Sequence, residues 1–117
     1  MENIAKAATR IVLRLYYMEG CADCIKQEDI VQKVEKAIQP IILRRNTSND
    51  KTIAFSVERV DATDFANTDK CKKDLVFEVP TITLEAYGEH VHSLGRWEEC
   101  VSYEALYEEV KWAIQNM

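Results

Sequence analysis

The sequence feature that most limits the possible folds is a nearly continuous apolar run near the N-terminus, residues 11–18 (IVLRLYYM). Its β-branched, aromatic and aliphatic side chains favour a β-strand, and only Arg14 interrupts them. A strand that is apolar on both faces needs cover on both sides, as in the middle of a partly parallel sheet. A transmembrane helix needs about 20 apolar residues, so we expect no membrane span. The run therefore predicts a central strand of a covered sheet.

The segment after this strand has the pattern of an amphipathic helix. Glu19 and Gly20 break the apolar run, and apolar residues then recur at helical spacing over residues 24–39. Proline has no backbone N–H to continue a helix, so Pro40 is predicted to end this one. The polar residues 44–51 are then expected to form a loop.

The rest of the chain alternates between strand and helix patterns. Three segments have the composition or alternation of strands: residues 53–58, 81–87 and 90–94. A short helix is predicted over residues 67–75, a two-residue turn at Gly88-Glu89, and a loop over residues 95–101. A final helix has a continuous apolar stripe, and Ser102 is its predicted N-cap.

Length, charge and the N-terminus limit the class of protein. With 117 residues the chain has the length of one domain, and we expect residues 1–117 to form it. The net charge is −5, and an acidic domain repels phosphate, so nucleic acid is not an expected partner. Residues 1–6 have no basic start followed by an apolar segment, which predicts no secretory signal and a cytoplasmic protein.

Four cysteines, Cys21, Cys24, Cys71 and Cys100, are the residues with the most distinctive chemistry. In a secreted protein they would suffice for two structural disulfides. In a reducing compartment, reactive or metal-binding thiols are expected instead. Cys21 and Cys24 form a C-x-x-C motif, and its position supports a redox role.

The motif follows the predicted central strand and begins the predicted helix. Free backbone N–H groups and the positive end of the helix dipole stabilise a thiolate there, and the thiolate is the attacking species in disulfide exchange. Cys21, nearer the solvent, is the predicted nucleophile, and Cys24, one turn inward, is placed to resolve a mixed disulfide. The carboxylate of Asp23 opposes a second negative charge, so we expect a less depressed pKa for the Cys21 thiol than a basic neighbour would give.

The strand, C-x-x-C and helix start, followed by Val79-Pro80-Thr81 before the hairpin and by Gly95, resemble the thioredoxin superfamily. The resemblance implies an α/β thioredoxin-like fold with a central mixed sheet of about four strands flanked by helices. It also implies a cis Pro80 that faces the cysteines, and substrate contacts at Val79, Pro80 and Gly95. The Asp before the second cysteine is similar to the small cytosolic thioredoxin-related proteins with a CxDC motif.

The same resemblance implies a disulfide reductase that needs no bound cofactor and no metal, since the sulfurs of Cys21 and Cys24 carry both electrons. Its substrates would be disulfide-containing proteins or small disulfides, and its electron donor thioredoxin reductase or glutathione. Two positions depart from the superfamily pattern. Gly20 replaces the usual Trp beside the nucleophile, and Leu15 stands where thioredoxin has a buried Asp that assists the second cysteine.

Three other functions stay open at this point. A glutathione-dependent, glutaredoxin-like protein is one, although Glu78 replaces the Thr of its Thr-Val-Pro motif and Gly95 is a single glycine. A redox-inactive binding module of the same fold is the second. A metal-binding protein is the third, because His90, His92, Cys71 and Cys100 could supplement the cysteine pair.

Overall fold

The computed structural model describes residues 8–49 and 51–117. Its strands are β1 (Arg10–Tyr17), β2 (Ala54–Asp61), β3 (Thr81–Tyr87) and β4 (Val91–Trp97). Its helices are α1 (Ala22–Ser48), α2 (Thr68–Lys73) and α3 (Tyr103–Gln115), and a 3₁₀ turn (Phe65–Asn67) precedes α2. Residues 1–6, on which the prediction about a secretory signal rests, lie outside the described residues. Among the helices of the described ranges, none combines the length and hydropathy needed to cross a membrane.

The four strands form one mixed sheet in the order β2-β1-β3-β4. β1 is parallel to β2 and antiparallel to β3, and β3 is antiparallel to β4. The apolar run predicted to be a central strand is β1, which has neighbours on both sides. Its residues Ile11, Val12 and Leu13 are fully buried. The prediction of a mixed sheet of about four strands with flanking helices is confirmed.

The hydrophobic core lies between one face of the sheet and the helices α1 and α3, which contact each other. Alternate residues of a strand point to the same face, so β1 and β3 both contribute every second side chain. The fully buried members of this core from all four elements include Leu13, Leu84, Ile38, Leu106 and Ile114.

Helix α3 begins where the sequence predicted. The Ser102 side chain accepts a hydrogen bond from the Ala105 backbone N–H at 3.2 Å, which satisfies one of the free N–H groups of the first turn. Burial of Val110 and Ile114 follows the predicted apolar stripe. The local pattern therefore determined both the start and the orientation of this helix.

Helix α1 does not end at Pro40, so the predicted end of the helix is wrong, as is the predicted loop over its residues 44–48. Pro40 lies inside the helix on an exposed position, and Ile38 and Ile41 on either side of it are buried. Near the helix end, the Asn46 side chain accepts from the backbone N–H of Ile53 and donates to its carbonyl oxygen, both at 3.0 Å. Packing and this pair of hydrogen bonds outweigh the bond that proline removes.

The hairpin between β3 and β4 also differs from its prediction. Tyr87 pairs with Val91, so the connection has three residues rather than the two predicted at Gly88-Glu89. β4 continues to Trp97, which pairs with Ile82, so residues 95–97 are strand and not loop. A register shift at Leu84/Glu85 accommodates one extra residue in β4.

The other face of the sheet carries a buried ion-pair network around Arg14, the residue that interrupts the apolar run. The Arg14 side chain is 4% exposed, and its Nε donates to a Glu58 carboxylate oxygen at 2.7 Å. The guanidinium also pairs with Glu85 and donates to the Tyr87 hydroxyl at 3.0 Å. A buried charge needs such partners, and these connect the central strand to both of its neighbours.

Candidate redox site

The cysteine pair lies where β1 turns into α1. Gly20 has a φ of 77°, in the left-handed region that disfavours side chains, and an added Cβ there would meet no atom within 4 Å. The backbone turn itself therefore requires the glycine. This turn places Cys21 at the N-cap of α1.

Cys21 and Cys24 form a disulfide with Cα atoms 5.2 Å apart. Cys21 is half-buried, whereas Cys24 is 3% exposed, so only the first sulfur is accessible to a large partner. The backbone N–H of Cys24 donates to the Cys21 sulfur at 3.1 Å. In the reduced protein the same N–H is placed to stabilise a Cys21 thiolate, as expected at a helix N-terminus.

Asp23 is exposed in the first turn of the helix, between the two cysteines. A carboxylate there favours the helix start, but it opposes a negative charge on the neighbouring sulfur. The helix N-terminus and the Asp23 carboxylate therefore act in opposite directions on a Cys21 thiolate, and the helix N-terminus is the one that favours disulfide exchange.

Val79 and Pro80 lie at the same end of the sheet as the cysteines, because Thr81 at the start of β3 pairs with Tyr16 near the end of β1. The Val79–Pro80 peptide bond is cis. Val79 is half-buried and Pro80 is buried. The Thr81 hydroxyl donates to the Glu78 carbonyl oxygen at 2.7 Å, which holds the loop before the strand. The substrate contacts of Val79 and Pro80 stay predictions.

Gly95 does not follow the last strand, as the resemblance implied, but lies within β4 opposite Leu84. A Cβ at this position would come within 2.7 Å of the Trp97 ring. Gly95 therefore makes room for the Trp97 indole, which packs against the core. The packing explains the glycine, and a contact with substrate stays a prediction.

A cavity of about 670 Å³ opens beside Cys24, lined by Tyr17, Met18, Glu19, Gly20, Cys24, Ile25, Glu28 and Arg59. Arg59 Nε donates to both carboxylate oxygens of Glu28, at 2.6 and 2.9 Å. The sequence did not predict this pair. The four-residue spacing of Cys24 and Glu28 on one helix face was visible in the sequence, but the contribution of Arg59 from β2 was not.

The other two cysteines are both free. Cys71 is half-buried on α2, where burial and the charge of Asp74 raise the pKa of its thiol. Cys100 is exposed in the loop before α3. Within residues 8–49 and 51–117, no three His, Cys, Asp or Glu side chains are grouped so as to hold a metal ion.

Comparison with known proteins gives structural matches without sequence matches. No protein-family model matches the sequence, and no curated protein matches it. Thioredoxin-2 of the malaria parasite is similar in structure with a TM-score of 0.65 at 20% identity, over 88% of this chain and 82% of that one. Thioredoxin from Trypanosoma brucei brucei gives 0.65 at 15% identity, over 93% and 79%.

A third match, thioredoxin from Trichomonas vaginalis, has a TM-score of 0.62 at 16% identity, over 92% of this chain and 84% of that one. At such identities the likeness shows the fold. The chain therefore has a thioredoxin fold, and the resemblance identified from the sequence is confirmed at that level.

Proposed function

We propose that the protein is a thiol–disulfide oxidoreductase that acts mainly as a reductase of disulfides in proteins or small molecules. The observation that carries the proposal is the pairing of a half-buried Cys21 with a buried Cys24 across the first turn of α1. The Cys24 N–H directed at the Cys21 sulfur supports Cys21 as the nucleophile. The thioredoxin fold is consistent with this chemistry, although a fold alone does not define an activity.

The reaction starts from the reduced dithiol. The Cys21 thiolate attacks one sulfur of the substrate disulfide, a mixed disulfide forms, and the other substrate sulfur leaves as a thiolate that takes up a proton. Cys24 then loses its proton and attacks the Cys21 sulfur, which releases the second substrate thiolate, and this thiolate takes up a proton in turn. The substrate has gained two electrons and two protons, and Cys21 and Cys24 are joined by a disulfide.

Val79 and Pro80 are proposed to hold the substrate during the first step. They lie at the same end of the sheet as the cysteines, and the backbone of Val79 is suited to pair with an extended peptide. Gly95 is proposed to contribute to the same surface through the backbone of β4, which continues to Trp97 at this end of the sheet.

The oxidised protein must be reduced again by a donor of two electrons. Thioredoxin reductase or glutathione is proposed in this role, in a cytoplasmic setting where both reductants would reach the exposed side of Cys21. No bound cofactor is required for either exchange reaction, because the electrons are carried by the two sulfurs.

The test is to trap the mixed disulfide. Cys24→Ser removes the resolving thiol, so the variant is expected to accumulate a covalent adduct with disulfide-bonded insulin that dithiothreitol releases. Cys100→Ser is the matched control, because it removes an exposed thiol outside the motif and should turn insulin over normally. If Cys24→Ser forms no adduct and Cys21→Ser leaves the rate of insulin reduction unchanged, the protein is a binding module instead.

A further inference from the structure

The loops around the cysteines have an unusual distribution of charge. β1 and β2 end, β3 begins and β4 ends at the same edge of the sheet, because β1 is parallel to β2 and antiparallel to β3. The segments at this edge, residues 18–25, 62–67, 74–80 and 98–102, are called the redox end below. They contain seven acidic residues and no Lys, Arg or His. Since the whole chain has a net charge of −5, its remainder is net positive.

Most of these carboxylates face solvent. Asp74 is turned inward, because it accepts from the Tyr16 hydroxyl and lies 3.8 Å from Arg14. The other six are exposed: Glu19, Asp23, Asp64, Glu78, Glu98 and Glu99. Of these six, Glu98 alone has an ion-pair partner among the described residues, Arg96 at 2.8 Å. The side chains of this surface around Cys21 therefore carry a net negative charge.

Among the nearby basic side chains, Arg96 of β4 reaches this surface: it pairs with Glu98 and donates to the backbone carbonyl oxygens of Asp74 and Leu75, so it offsets one of the acidic charges. Arg59 is held by Glu28, and Lys26, in the second turn of α1, is a single exposed cation. The α2 lysines Lys70 and Lys73 line a cavity with Tyr87 and Val91. This cavity lies on the sheet face that carries Arg14, and Lys70 lies 3.9 Å from Glu58 there, so its charge is paired outside the redox end.

The same surface also presents large apolar side chains. Phe65 is 91% exposed and Phe77 is 86% exposed, on the loops that flank α2, and Ile25 is 69% exposed in the first turns of α1. Large apolar side chains grouped at one edge of a sheet are typical of surfaces that contact a macromolecule. These side chains indicate that the disulfide substrate is a protein.

We propose that the redox end selects protein disulfides flanked by basic residues and disfavours anionic disulfides. The inference rests on the proposed function and specifies its substrate class. Complementary charge accelerates encounter and like charge slows it, by about 10- to 1,000-fold on association rates at low ionic strength. Glutathione disulfide, with its excess of carboxylates over amines, is by this argument a slower reactant than a neutral disulfide of similar size.

The experiment uses three peptides that differ only beside their single disulfide, where they carry lysine, glutamine or glutamate. Rates of reduction by the 117-residue protein are divided by the rates with dithiothreitol, which has no charged group besides its attacking thiolate, and this removes differences in intrinsic reactivity. At about 0.05 M salt the lysine peptide is expected to react about tenfold faster than the glutamate peptide. At about 0.5 M salt, where the Debye length falls below about 5 Å, this preference should largely disappear.

A charge-neutralised variant tests whether the redox end is the source. Glu19→Gln, Glu78→Gln and Glu99→Gln together are expected to reduce the lysine-over-glutamate ratio about threefold or more at low salt. Glu89→Gln, Glu108→Gln and Glu109→Gln change the net charge equally on exposed positions away from the cysteines and should leave the ratio unchanged. Circular dichroism establishes that both variants are folded.

The outcomes distinguish a failure of the charge selection from a failure of the proposed reductase activity. Reduction of all three peptides at equal corrected rates, or an equal effect of both variants, overturns the charge selection and leaves the reductase intact. Failure to reduce even the glutamine peptide overturns the proposed function, and the substrate class falls with it. The salt dependence of the unmodified protein decides the question even if a triple variant does not fold.

Discussion

The Gln27 side chain is hydrogen-bonded in both directions to the backbone of Val101, 74 residues away in sequence. Gln27 Nε2 donates to the Val101 carbonyl oxygen at 3.0 Å, and the Val101 N–H donates to Gln27 Oε1 at 3.2 Å. Gln27 is 2% exposed and lies one turn after Cys24. The pair therefore joins the start of the cysteine helix to the loop that leads into α3, and fixes both at the redox end.

Gln27→Leu is expected to lower the free energy of unfolding by about 3 kcal/mol, because a buried N–H and a buried carbonyl would each lose their partner. Urea denaturation measures the change. Gln32→Leu, on an exposed position of the same helix, is the control and should change stability by less than about 0.5 kcal/mol. Equal effects of the two substitutions would contradict the structural role of the Gln27–Val101 pair.

The carboxyl group of Glu58 makes the free energy of unfolding depend on pH in the acid range. Burial alone would raise the pKa of its carboxyl, but the hydrogen bond and charge of Arg14 outweigh burial and hold the pKa below its usual value of 4.5. A lowered pKa in the folded state contributes stability that is present above the unfolded-state pKa and lost as the pH falls through the folded-state value.

Glu58→Gln is therefore expected to lose less stability than the unmodified protein between about pH 5 and pH 3. Urea midpoints measured across this range give the comparison. Glu108→Gln, on an exposed position of α3, should follow the unmodified protein. If the stability of Glu58→Gln falls with pH in parallel with that of the unmodified protein, the ion pair between Arg14 and Glu58 does not cause the loss of stability in acid.

Gly95→Ala tests the packing explanation for the glycine in β4. The new Cβ would come within 2.7 Å of the Trp97 ring, so the indole must shift, at an expected cost of about 1–3 kcal/mol. In the background of Trp97→Leu the same substitution should cost at least about 1 kcal/mol less, since the ring is gone. A double-mutant cycle by urea denaturation measures this coupling, and additive effects would exclude the ring as the reason.

Asp23→Asn is expected to increase the thiolate fraction of Cys21 at neutral pH, because a negative charge beside the sulfur is removed. The measurement is the rate of alkylation of the reduced protein by iodoacetamide, an uncharged reagent, with mass spectrometry to identify Cys21. The expected increase is about two- to tenfold. Glu89→Gln is the control of equal charge change, and a similar increase in that variant would show that proximity to Cys21 is not the cause.

The sequence by itself determined the elements whose signals are local. The apolar run predicted β1 in the middle of the sheet, the β-rich composition of residues 81–87 predicted β3, and Ser102 with its apolar stripe predicted α3. The C-x-x-C motif after a strand and at a helix start predicted a redox pair, and its disulfide lies there. Periodicity, capping and turn residues act over a few positions, so they can be read along the chain.

Tertiary structure alone decided the features that depend on distant partners. Pro40 is a local signal to end a helix, but buried Ile41 and the bonds between Asn46 and Ile53 continue α1 to Ser48. Gly95 lies in β4 because its backbone pairs with that of Leu84, and the absence of a side chain leaves room for the Trp97 ring. The sequence predicted Cys21 as the nucleophile. It did not predict that carboxylates from four separate segments lie at the same end of the sheet. Those contacts join residues that are remote in sequence, and only packing of the sheet and helices makes them neighbours.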